Sequence, residues 1–184
     1  RRALAPIMLC AGTMGILAAI AGFAMQLNST TAFGLLWLTT AVAAIVSALL
    51  IARRQSLKDH EAFWSPPTRR VALALSPPLL VGFVLGGWPT LFPHAETDVT
   101  LCSTLVWILF YGCALHSAGF FMPRGIRVFG WCFMAGSLSL IIMLLSGHLG
   151  DNTNAHLIMG IFFGGLHLAY GVYLYFTEKK IPAA

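Results

Sequence analysis

Charged residues are absent over long stretches of this chain, and that absence constrains its fold more than any other feature. The uncharged stretches resolve into six apolar runs, about Pro6–Leu27, Ala32–Ala52, Val71–Trp88, Leu101–Phe121, Ile126–Gly147 and His156–Phe176. Apart from Arg127, one residue into the fifth, none of them contains Asp, Glu, Lys or Arg. A bilayer's hydrocarbon core is crossed by about 20 apolar residues in a helix. Helices are the required form, because an unpaired backbone amide in hydrocarbon costs several kcal/mol and the runs lack the period-two alternation of barrel strands. The expected fold is therefore all-α: a polytopic integral membrane protein, with residues 1–184 as a single transmembrane domain built as a six-transmembrane-helix bundle.

Composition agrees. The chain is 58% hydrophobic and 9% charged, where a soluble domain carries about 25% charged residues. The net charge of +5 does not indicate nucleic acid, since the basic residues sit at the ends of apolar runs and not on one face of a soluble core. Instead they report orientation, because positive loops stay on the cytoplasmic side. With six crossings, Arg1 and Arg2, the loop with Arg53, Arg54, Lys58, Arg69 and Arg70, the pair Arg124 and Arg127, and the tail with Lys179 and Lys180 all share one side. Those are all of its Lys and Arg residues. The other side receives Asn28–Thr31, Trp88–Thr100 and Gly147–Ala155, with only acidic charges. A bacterial inner membrane protein with both termini cytoplasmic is the reading.

Cys10, Cys102, Cys113 and Cys132 fall within or beside apolar runs, without the spacing of a zinc site, and read as free buried thiols. The first run continues well past Pro6 without a small-residue cleavage pattern and reads as a span, not a removable signal. The second basic loop, with Leu57 and Trp64 beside its charges, is expected on the inner leaflet surface. Ser65-Pro66 reads as an N-cap followed by a first-turn proline.

Chemistry-bearing residues are few. His116 in the fourth run and His167 in the sixth lie on stripes of small residues, Gly112–His116–Gly119 and Gly160–Gly164–His167–Gly171, which permit close helix approach. Both are therefore expected to face protein, with Tyr170 one turn beyond His167. At about 1.5 Å per residue their depths differ by roughly 6 Å, close enough for the two imidazoles to share a haem b or a divalent metal. The simpler expectation is that each bonds a hydroxyl or carbonyl and fixes the bundle. A third stripe, Gly15, Ala19, Gly22 and Gln26, reads as a packing seam.

In the third run, Pro77 and Pro78 deprive the carbonyls of Leu73 and Ala74 of their helical partners. A kink results, and Ser76 or a ligand's polar group can satisfy the freed oxygens. Ser76, Pro77 and Pro78 thus mark a ligand-binding candidate. On the outer side, His94, His148, Asp151 and His156 combine imidazole and carboxylate in a set that suits a transition metal.

The chain contains no G-x-S-x-G, no H-E-x-x-H and no phosphate loop. The balance is toward a non-enzymatic helix bundle that binds a hydrophobic small molecule or a membrane-protein partner. Alternatives are a haem-binding redox protein using His116 and His167, or a small permease for an uncharged solute. Either a monomer or a homo-oligomer is compatible with these features.

Overall fold

A computed structural model describes residues 3–92, 99–149 and 154–178. Every regular element among them is a helix, and six helices are long and apolar enough to cross a membrane. We label them α1 (Leu4–Ala24), α2 (Thr30–Lys58), α3, α4 (Thr100–Ala118), α5 (Arg124–Leu145) and α6. Helix α3 joins Pro66–Gly82, a π-helical turn Phe83–Gly87 and Trp88–Leu91. Helix α6 joins Ala155–Met159, a π-helical stretch Gly160–Leu166 and His167–Glu178.

Helices α2 and α3 run furthest beyond the apolar runs that announce them, α2 ending at Lys58 and α3 beginning at Pro66. Helix α2 continues through Arg53 and Arg54 to Lys58, since Arg, Gln, Leu and Lys are good helix formers and the basic side chains can extend from a helix end into water. It stops where His60 takes the left-handed conformation at φ 54°. There Glu61 N–H bonds Ser56 O at 2.9 Å and His60 N–H bonds Leu57 O at 3.4 Å, a Schellman closure. The second basic loop is thus largely helical, with Arg53–Lys58 in α2, residues 66–70 in α3 and only residues 59–65 between them. Gly147, at φ 72°, closes α5 in the same way through His148 N–H and Met143 O. Helix α3 carries both prolines internally. The Ser76 hydroxyl bonds Leu73 O at 3.2 Å, so the carbonyl that Pro77 deprives of its donor has one.

The chain forms two compact units. The first contains residues 1–26, 36–63 and 156–184; the second contains 27–35 and 64–155. In the first unit α1 and α6 run along a seam of small residues. A β-carbon on Gly12 would stand 2.6 Å from Leu168 N, one on Gly15 2.6 Å from the Phe163 backbone, and one on Gly164 2.7 Å from Ile16. Gly171 meets Leu9, and Gly160 meets Ala19. Helices in such close contact gain dispersion energy at each of these approaches.

The second unit is organised around α4. Gly82 and Gly86 bring α3 onto Phe110 and Trp107, and Gly112 and Gly130 let α4 and α5 touch through backbone. The Ser137 hydroxyl reaches across to Leu105 O at 2.8 Å. At one end Phe33 stacks on Trp107 with ring centres 6.0 Å apart.

Polar side chains share the interior with large apolar ones such as Phe33, Ile108 and Phe133, while many other large apolar side chains face out. Ser103, Thr104, Ser137 and Thr90 are buried, whereas Val42, Ile45, Val46, Leu49 and Leu50 of α2 are exposed. Contiguous exposed apolar surface of this kind marks a face suited to contact with a membrane or another protein.

Candidate functional site

The strongest concentration of buried polar side chains in the first unit lies on α6, around its π-helical stretch. His156 and His167 bracket that stretch, and each is 2% exposed. His156 is on the first turn, where Gly22 of α1 makes room for it: a β-carbon at Gly22 would collide with the imidazole. Trp37, at 3% exposure, donates its indole N–H to His156 Nδ1 at 3.2 Å. An indole nitrogen can only donate, so Nδ1 is the accepting nitrogen and the hydrogen of a neutral ring lies on Nε2.

His167 has the opposite tautomer. Its Nδ1 is 3.3 Å from Phe162 O, and a carbonyl can only accept, so Nδ1 carries the hydrogen and a neutral ring keeps its lone pair on Nε2. The partner is five residues back, within the wider π-helical turn. Rings link the two histidines in a row. Ring centres are 6.4 Å apart for His156 and Trp37, 6.5 Å for Trp37 and Phe163, and 6.1 Å for Phe163 and His167. Sequence reading assigns His156 to an outer metal set and His167 to a cofactor site; in the structure they belong to one buried row. Trp37 and Phe163, which complete it, were not singled out. The available signal was weak: a tryptophan inside an apolar run needs a partner for its N–H when buried.

The other sequence candidates are dispersed. His116 is in the second unit, half-buried, its ring meeting Phe120 and Trp131 edge-on with centres 5.5 Å away in both cases. Its Nδ1 is enclosed without a hydrogen-bond partner among the described residues. Tyr170 is half-buried and stacks on Tyr173 at 6.2 Å. Pro77 is exposed and Ser76 and Pro78 are half-buried, with Ser76 engaged by Leu73 O as described. His148 is exposed and bonds Ser146 at 2.9 Å. His94 and Asp151 lie outside the described residues. Among the described residues no three His, Cys, Asp or Glu side chains gather in a metal-binding arrangement.

Hydroxyl groups are mostly tied to helix carbonyls. Thr13 bonds Leu9 O, Thr40 bonds Leu36 O, Thr104 bonds Thr100 O and Ser139 bonds Ala135 O, all at 2.7–2.9 Å. Such bonds satisfy the hydroxyl locally, which is how serine and threonine are accommodated in apolar surroundings. All four cysteines are unbridged, and Cys113 lies 3.7 Å from the Met134 sulfur.

No family model, no curated protein and no solved structure matches this chain.

Proposed function

We propose that this chain is a multi-pass protein of a bacterial inner membrane, with both termini in the cytoplasm, that binds a hydrophobic ligand or a membrane partner among its helices and catalyses no reaction. Its outward-facing apolar side chains support the solvent, and the one-sided distribution of Lys and Arg supports the orientation. The observation that carries the binding role is the π-helical stretch of α6 between two buried imidazoles. Such stretches are rare and concentrate at functional sites. A few placed polar groups in an apolar enclosure are what orients a greasy ligand.

The test is native mass spectrometry of the full chain released from mild detergent. A non-lipid adduct carried by the wild type and by Leu49→Ala, on the exposed face of α2, but lost from His167→Ala, is the expected result. Wild-type protein free of any such adduct would remove the ligand from the proposal.

A second reading, haem b or a divalent metal on His167, is favoured by one specific contact. The Nδ1–H bond to Phe162 O is the outer bond that metal-bound imidazoles commonly make, and it leaves Nε2 as the ligating atom. An absorption band in the Soret region that disappears in His167→Ala would support haem; a featureless visible spectrum would exclude it.

A further inference from the structure

Where α4 ends and α5 begins, a cation is held in place without a counter-charge from nearby sequence. The stem of Arg127 lies against Gly119, so closely that a β-carbon there would collide with Arg127 Cγ. Its guanidinium carbon stands 5.1 Å from the centre of the Phe120 ring. His116 closes the cluster by meeting the edges of Phe120 and Trp131. No Asp or Glu occurs between Thr100 and Leu145. Phe120, Phe121 and Trp131 are each more than half exposed, at 64%, 52% and 56%.

These features together describe one kind of occupant. A guanidinium resting on an aromatic face has already lost much of its rotamer freedom, and its planar fork matches phosphate oxygens. Exposed Trp and Phe rings beside it suit the boundary between headgroup and acyl chain, where aromatic side chains collect. By the charge distribution this end of α4 and α5 belongs to the cytoplasmic leaflet, where basic pockets between helices take anionic headgroups.

We propose that Arg127, framed by His116, Phe120 and Trp131, binds the phosphodiester of an anionic phospholipid in that leaflet. The proposal rests on the membrane reading above and adds a lipid specificity to it. A zwitterionic lipid carries the same phosphodiester but brings its own ammonium, which competes with Arg127 for the oxygens. The net negative headgroup is therefore preferred.

The test places the full chain in phosphatidylcholine vesicles containing a small fraction of brominated phosphatidylglycerol or the same fraction of brominated phosphatidylcholine. Bromine quenches nearby indoles, and the Trp131 contribution is the difference between wild type and Trp131→Phe. About fivefold enrichment of the anionic lipid at Trp131 is expected, the scale of one basic side chain's attraction to an anionic surface. Arg127→Gln should abolish the preference, Arg127→Lys should retain part of it, and Arg70→Gln should leave it intact. Equal quenching by the two lipids in the wild type overturns the proposal, as does a preference that survives Arg127→Gln or is lost equally in Arg70→Gln. Loss of the preference on adding inorganic phosphate would assign the site to a soluble anion and also overturn it. Quenching by neither lipid, at any tryptophan, would instead refute the membrane reading itself.

Discussion

The indole N–H of Trp37 donates to Nδ1 of His156 across 119 residues of sequence, at 3.2 Å and fully enclosed. This bond joins α2 to α6 within the first unit and selects the His156 tautomer. It does so where α2 is otherwise loosely held, for beyond Trp37 no α2 residue is buried.

A double-mutant cycle measures that bond. Trp37→Phe keeps an aromatic ring against Phe163 but removes the donor, and His156→Ala removes the acceptor. Between apolar helices such bonds average about 0.6 kcal/mol and reach about 1.7. A coupling energy in that range is expected from unfolding in mixed micelles. Strict additivity of the two substitutions would show that the contact contributes nothing.

The seam between α1 and α6 predicts opposite outcomes for two glycines. Gly15→Val places a branched side chain where even a β-carbon stands 2.6 Å from the Phe163 backbone. Backbone cannot swing aside, so the helices must separate, at a cost of about 1–3 kcal/mol or more. Gly165→Ala meets nothing nearer than 3.9 Å and replaces a poor helix former by a good one. It should be neutral or stabilising by up to about 1 kcal/mol. Thermal unfolding of the two variants in detergent checks both signs.

Ser76 and Pro77 form a compensating pair. Ser76→Ala removes the hydroxyl from Leu73 O and should cost about 0.5–1.5 kcal/mol. In a Pro77→Ala background the restored amide can serve that carbonyl, so the same serine substitution should cost markedly less. An unchanged serine effect in the two backgrounds would mean the hydroxyl is not replacing the missing amide.

Sidedness is tested by single cysteines in a cysteine-free chain. Positions Gln55 and His148 lie near the ends of α2 and α5 and are half-buried and exposed respectively. An impermeant thiol reagent applied to intact cells should label the His148→Cys protein, while Gln55→Cys should react only after permeabilisation. Labelling of both from outside would break the proposed orientation.

Much of the helix content was legible in the sequence because hydrocarbon-length apolar runs are long-range averages over about 20 residues. Their ends were less so. Arg53, Arg54 and Lys58 look like a loop when judged by charge, yet they extend α2, because a charged side chain interrupts hydrophobicity without interrupting a helix. The glycine stripes on α1 and α6 were visible as spacing, and the structure shows which residues each one meets. The π-helical stretches were not visible at all. Their wider turn arises from local backbone geometry that Gly160–Leu166 permits but does not spell out.

By itself the sequence determined the number of long apolar helices and the small-residue faces available for contact, since each follows from composition along one dimension. Tertiary structure alone decided that His156 and His167 share a row through Trp37 and Phe163, and that Arg127 lies on Phe120. Those pairings depend on how one helix is rotated and shifted against another. That rotation is set by packing of many side chains at once, and no single segment carries it.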